Sequence, residues 1–168
     1  MRATYGRNLG AKFIADRLSI DNYIHMRQVV SQRKGVKIRK QVPLVKDLIF
    51  LRATKEEITD IKRQVTYLQY ITRPVNKKNE PIIVPEEQMR SFIDFTLKND
   101  EDLIYLNPSE VDLQAGTRIR IHGGEFDGYE GWFVKIAGKR NRRIVVMIDS
   151  IIAVAAQVSP DLVEVIKD

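Results

Sequence analysis

The sequence predicts an α+β protein in two parts: a mixed α/β domain over residues 1–106, a linker at 107–112 and a small all-β domain over 113–168. Three observations carry this. Up to Asn99 helical and strand periodicities are interleaved, but the strands are short and several are joined as hairpins, unlike a doubly wound sheet. After Leu103 the helical period is lost, and turn residues recur at the spacing of short strands. Between the two regions, Asn107-Pro108-Ser109-Glu110 reads as a linker.

Asn8 is placed to cap a helix running to about Ser19; Leu9, Phe13 and Arg17 lie along one row with Ile14 and Leu18 beside them, so one side is apolar. Tyr23 to Gln32 and Val36 to Val42 read as strands around Arg33-Lys34-Gly35, with Val36 and Ile38 alternating with Lys37 and Arg39. Leu48 to Leu51 is a short apolar strand. Thr54-Lys55-Glu56-Glu57 has capping-box form and opens a helix carrying Ile58, Ile61 and Val65. Tyr67 to Ile71 returns as a strand that ends at Arg73-Pro74, and Ile82 to Val84 forms another after the Asn76–Asn79 loop. Pro85, Glu86 and Glu87 suit the first turn of a helix whose buried side is Met89, Phe92, Ile93 and Leu97. In the all-β part, strands are expected at 118–121, 132–136, 143–148, 151–158 and 162–166, compact enough for a small, strongly bent barrel.

Composition narrows the chemistry. The 168 residues contain no cysteine, so disulfides, thiolate metal sites and thiol nucleophiles are excluded. No stretch has the length and apolarity of a signal peptide or a membrane span, and a cytoplasmic address is expected. Two histidines and no nucleophile-elbow or phosphate-loop motif leave an enzyme little to work with; no catalytic residue, cofactor or metal is expected. The net charge of +6 is unevenly placed: eleven basic residues precede Asp47, against Asp16 and Asp21. Such a face either meets a polyanion or simply remains solvated.

The stretch Gly123 to Trp132, rich in glycine and aromatics, lacks the Walker and Rossmann spacings and suits a barrel hairpin. Gly116, Gly124, Phe126, Gly128 and Gly131, followed by Trp132, resemble the KOW motif. Phe126 and Trp132 are expected in the barrel core rather than as stacking platforms. Thr4-Tyr5-Gly6-Arg7 before a helix, the Leu48–Leu51 strand before Ala53–Ile58, and Pro81–Met89 resemble the N-terminal domain of the NusG family, most similar to its UpxY branch of specialised paralogues.

The resemblance implies a NusG-type domain with an antiparallel sheet flanked by helices, followed by an SH3-like KOW barrel. It implies an elongation and antitermination factor that binds the RNA polymerase clamp, bridges the DNA cleft and suppresses pausing or termination. In the UpxY branch the targets are long operons for surface polysaccharide synthesis. Family members begin with a full strand ahead of the Thr-x-Gly-Arg segment, so the first strand is expected to be clipped or the true start to lie upstream. Lys46-Asp47 stands where Pro-Asn is common.

The family pattern places Leu48, Phe50, Tyr67 and Tyr70 at the polymerase, with core burial as the competing reading. Arg33, Lys34, Lys37 and Arg39, joined by Arg7 and Lys12, are candidates for non-template or upstream DNA. Lys139, Arg140, Arg142 and Arg143 crowd a hairpin that either holds a partner, such as a ribosomal protein, Rho or RNA, or is a solvated turn. A monomer without membrane association is expected. The alternative is a KOW-containing RNA-binding or ribosome-associated protein with no polymerase contact.

Overall fold

The computed structural model describes residues 1–33, 36–98, 103–106, 116–136, 142–148 and 151–166. The expected linker, and the candidates Lys34, Lys139 and Arg140, lie outside these residues. Packing divides the chain into two compact units, Met1–Ile82 and Ile83–Asp168. The division comes earlier than the linker foreseen at 107–112, because the third helix and the strand after it group with the second unit.

The first unit contains β1 (Arg2–Ala3), a single 3-10 turn (Thr4–Gly6), α1 (Asn8–Arg17), β2 (Asp21–Tyr23), β3 (Met26–Arg33), β4 (Val36–Pro43), β5 (Phe50–Arg52), α2 (Lys55–Gln64), β6 (Leu68–Gln69), β7 (Thr72–Val75) and β8 (Lys78–Pro81). Its strands pair antiparallel, in four two-stranded ladders rather than one continuous sheet: β1 with β6, β2 with β5, β3 with β4 and β7 with β8. Their core is Ala3, Ala11, Ala15, Ile20, Ile24, Ile49, Ile61, Val65 and Leu68.

Local chemistry explains most of these elements. The capping box of α2 is complete: the Glu57 amide donates to Thr54 Oγ1 (3.3 Å), and the Thr54 amide donates to the Glu57 carboxylate (2.7 Å). Two amides without helical partners are thereby satisfied. Ile58, Ile61 and Val65 are buried, and Val65, expected within the helix, is its C-cap. The β7–β8 hairpin turns on Asn76 and Lys77, both at positive φ, which matches the twist of a two-residue hairpin.

Several expectations shift. Asn8 is the first helical residue rather than the cap, and it is buried; its Nδ2 donates to the carbonyls of Val45 and Leu48 (3.3 Å each), pinning the following loop to α1. The expected strand from Tyr23 is interrupted at Ile24 and His25, which are buried, and β2 leaves β3 to pair with β5. Strand β7 runs through Arg73-Pro74 instead of ending there, and the strand expected at Ile82–Val84 is replaced by β8, four residues earlier.

The second unit contains α3 (Glu86–Lys98), β9 (Ile104–Leu106), β10 (Thr117–Ile121), β11 (Glu130–Lys135), β12 (Arg142–Ile148), β13 (Ile152–Ala156) and β14 (Val163–Val165). All five expected strands are present, and β9 adds a sixth, giving one antiparallel sheet in the order β14-β10-β11-β12-β13-β9. Every residue of β13 is buried, so both faces of the sheet are covered at that strand. Helix α3 packs against β12, and Gln88 Nε2 donates to the Met147 carbonyl (3.1 Å). The fully buried α3 side chains are Phe92, Phe95 and Thr96; Met89 and Ile93 are half-buried, whereas Leu97 is 68% exposed. The buried face is therefore rotated from the expected row. The Phe95 ring meets Phe126 at 4.7 Å and Tyr129 at 5.4 Å between centroids. Among the described residues no helix is long and apolar enough to cross a membrane.

Candidate functional site

The strand β5 and its approach set the first group of candidates. Ile49 is fully buried while its neighbours Leu48 and Phe50 are half-exposed, the alternation of an extended segment with one inward side chain. Leu48 forms an isolated bridge to Arg2. Phe50 stands opposite Tyr23 on β2, their rings 6.5 Å apart, and the Tyr23 hydroxyl lies 2.9 Å from His25 Nδ1. Leu48 and Phe50 are therefore neither core residues nor fully exposed; Tyr23 is a neighbour that the sequence reading did not include.

The tyrosine candidates lie elsewhere on the unit. Tyr67 and Tyr70 flank β6, and both are half-buried. The Arg7 guanidinium lies over the Tyr67 ring at 3.9 Å, while Tyr70 carries the Lys62 ammonium at 4.2 Å. Gly10 of α1 makes room for Tyr67: a Cβ there would stand 2.7 Å from its hydroxyl. Arg7, expected at DNA, thus lies against Tyr67, expected at the polymerase.

The basic hairpin is an antiparallel ribbon with Gln32 opposite Lys37 and Val30 opposite Arg39. Arg39, Lys37, Gln41, Gln28 and Gln32 are exposed and share one face; Val29, Ile38 and Val42 share the other with Lys40 and Arg27. The alternation foreseen at 36–39 holds, except that Lys40 joins the apolar side. Arg33 ends β3 beside Val36. Lys12 is less available than its type suggests: it forms an ion pair with Asp16 at 3.0 Å and donates to Asn22. Hydrogen bonds from Asn22 and then Lys12 hold the Asp16 carboxyl below its ordinary range.

In the second unit Phe126 is buried and Trp132 half-buried, and the Arg118 guanidinium lies 5.0 Å from the Trp132 ring. Gly124 (φ +72) and Gly128 (φ +80) occupy left-handed backbone that a side chain would strain. Gly131 is needed for space, since a Cβ would lie 2.5 Å from the Val145 carbonyl. Gly116 precedes β10. Glu130 accepts from Arg120 and Arg118, and these bonds, Arg120 first, hold its carboxyl below the usual range. His122 Nε2 approaches the Glu164 carboxylate, which is lowered in turn. Arg143 pairs with Val134 across the strands, and its Nη2 donates to Gln157 (3.4 Å); Arg142 begins β12.

The apolar row expected along α1 is largely exposed. The helix buries Asn8, Ala11 and Ala15, so the row Leu9–Phe13–Arg17 faces outward, with Phe13 65% and Leu9 46% exposed. Tyr5, just ahead of the helix, is 88% exposed. The aromatic before Gly6 was visible in the sequence; its orientation was not.

The chain thus combines a helix–strand unit, carrying a basic hairpin and a half-exposed apolar strand, with a β-rich unit. The family described as transcription termination factor nusG matches residues 3–93, more than half of the chain, and the chain belongs to that family. The NusG family is one of transcription elongation and antitermination factors rather than enzymes, and RNA polymerase is its general partner. No curated protein matches the chain.

Proposed function

We propose that the protein is an antitermination factor of the UpxY branch, which binds the RNA polymerase clamp and suppresses pausing or termination on long operons for surface polysaccharide synthesis. Leu48 and Phe50 supply the apolar clamp contact, and Tyr67 and Tyr70 are further polymerase-binding residues. Arg33, Lys34, Lys37 and Arg39 of the hairpin, with Arg7 and Lys12, approach non-template or upstream DNA; such phosphate contacts are salt-sensitive and indifferent to sequence. The second part is a KOW barrel built on Gly116, Gly124, Phe126, Gly128, Gly131 and Trp132. Lys139, Arg140, Arg142 and Arg143 recruit a further partner, a ribosomal protein or Rho.

The observation that carries the reading is the pairing, within the family-matched segment, of half-exposed Leu48 and Phe50 around buried Ile49 with an exposed basic ribbon. An apolar surface left partly open marks a protein contact, and a cationic ribbon suits a polyanion. The test is retention of core RNA polymerase by the full-length chain and by its Leu48→Ser/Phe50→Ser variant, with circular dichroism to verify folding. Loss of binding in a folded variant is expected. Undiminished binding removes the clamp assignment, and failure of the parent chain to bind removes the function.

A further inference from the structure

The approach to β5 is built on one strained residue. Asp47 lies at φ +68, left-handed backbone that a side chain adopts at a cost and keeps only where its surroundings hold it. The turn at residues 4–6 and its flank supply that hold. The Ala3 amide donates to the Asp47 carbonyl (2.7 Å), and the Gly6 amide donates to the Asp47 carboxylate. From α1, Asn8 reaches the same loop: its Nδ2 donates to the carbonyls of Val45 and Leu48 (3.3 Å each), one on each side of Asp47. Asn8 is 1% exposed; a buried amide needs partners, and its NH2 group finds both in this loop. Leu48 then bridges to Arg2, and the Ile49 amide donates to the Met1 carbonyl (3.1 Å).

The apolar side chains of this segment do not fix it by themselves. Ile49 is fully buried, but Leu48 and Phe50 are half-exposed, and β5 pairs through three residues with β2 alone among the described residues. A two-stranded ladder is marginal without further packing. The direction in which Leu48 and Phe50 are presented therefore depends on the hydrogen bonds of the loop ahead of them. The same turn also holds a second polymerase candidate: the Thr4 amide (3.1 Å) and the Thr4 hydroxyl (3.3 Å) both donate to the Tyr67 carbonyl. One turn, bonded to Asp47 on one side and to Tyr67 on the other, ties the loop that carries Leu48 to the strand that follows Tyr67.

We infer that Asp47, supported by Asn8, is a positioning residue for the polymerase contact: its clasp on the Gly6 amide holds Leu48 and Phe50 in the orientation that binds. The inference rests on the clamp contact of the proposed function. Asp47 acts through the backbone. With the clasp open, the loop retains its sequence and its apolar side chains but loses the acceptor that closes the turn, and Leu48 and Phe50 sample other orientations. Only the clasped fraction of molecules binds, so the apparent affinity falls by that fraction. An asparagine at 47 preserves the clasp, because its side-chain oxygen accepts from the same amide and its backbone tolerates the left-handed region. A glycine at 47 keeps the backbone conformation and removes the acceptor alone.

The test is the affinity of the full-length chain for immobilised core RNA polymerase, beside its melting temperature and the hydrogen exchange of the Gly6 amide in the free, isotope-labelled protein. Asp47→Gly is expected to bind about tenfold more weakly, the scale of one hydrogen bond to a charged group. Its melting temperature should stay close to the parent's, since relief of the left-handed strain offsets the lost bond. Asp47→Asn should bind within about twofold of the parent. A merely structural role would move affinity and melting temperature together. The Gly6 amide should exchange slowly in the parent and in Asp47→Asn, and at the rate of a free amide in Asp47→Gly. Three results overturn the inference: free exchange of the Gly6 amide in the parent, Asp47→Gly within twofold of the parent's affinity, or Asp47→Asn as weak as Asp47→Gly. The last would make Asp47 a charged contact with the polymerase instead. If Asp47→Gly does not fold, Asn8→Ala takes its place, and undiminished affinity in that folded variant overturns the inference equally. A parent chain that fails to bind removes the proposed function and this inference with it. A parent that binds, with loss in Leu48→Ser/Phe50→Ser but none in Asp47→Gly, removes this inference alone.

Discussion

Replacing Phe95 by alanine should destabilise the second unit selectively. The side chain is fully buried in α3, and its ring meets Phe126 at 4.7 Å and Tyr129 at 5.4 Å. Truncating a buried phenylalanine costs about 3–5 kcal/mol through lost transfer and the cavity left behind. The two ring contacts, each worth about 0.5–1.5 kcal/mol, favour the upper part of that range. At about 4 °C or more per kcal/mol for a unit of this size, the midpoint should fall by about 12 °C or more. The chain supplies its own reporter: its one tryptophan, Trp132, lies on β11 in the second unit. Thermal unfolding followed by Trp132 emission therefore reads that unit alone. Leu97→Ala, on the exposed side of the same helix, is the control and should remain within about 0.5 kcal/mol of the parent. A Trp132 transition unmoved by Phe95→Ala would refute the reasoning, because α3 would then not belong to the unit that holds Trp132.

Two further outcomes follow from the same unit. Gly131→Ala puts a Cβ 2.5 Å from the Val145 carbonyl and 2.9 Å from Ile144 Cγ1; since backbone cannot swing aside, a loss of about 1–3 kcal/mol is expected in the Trp132-monitored urea transition. Glu130→Gln should flatten the acid side of the stability profile. The Glu130 carboxyl titrates below its ordinary value in the folded state, so it stabilises the fold above the unfolded carboxylate range and loses that contribution as pH falls through the folded value. The parent should lose more stability than the variant between neutral and acidic pH, and equal losses would show the Arg120 and Arg118 bonds to be without effect.

Much of the fold was legible because it is written locally. The Thr54–Glu57 capping box, the strands after Thr117 and the alternation along Val36–Arg39 depend on neighbours within a few residues. What failed depended on partners distant in sequence. The row Leu9–Phe13 has the period of a buried face, but α1 packs through small Ala11 and Ala15 and through Asn8, whose amide reaches loop carbonyls. Periodicity reports that an apolar row exists, not which way it faces. The break at Ile24-His25 has no glycine or proline to announce it; it arises because β2 finds β5. Helix α3 shows its period in sequence, yet the side it buries depends on distant partners: Phe95 meets Phe126 and Tyr129, and the helix packs against β12. Of the candidate site, residue types were readable from the chain, whereas the meeting of Arg7 with Tyr67, and of Phe50 with Tyr23, required the fold.

The β3–β4 ribbon has a consequence for solubility. Its two strands pair only with each other among the described residues, so both outer edges present unpaired amides and carbonyls along eight residues. Such edges are templates for strand addition by a second chain. Lysine and arginine are the usual guards, because two like-charged edges repel before their backbones can register. Arg27, Lys37, Arg39 and Lys40 stand exposed along this ribbon. The same charges that we propose meet a polyanion thus keep the ribbons of neighbouring molecules apart, and a polyanion long enough to neutralise several ribbons at once would remove that protection.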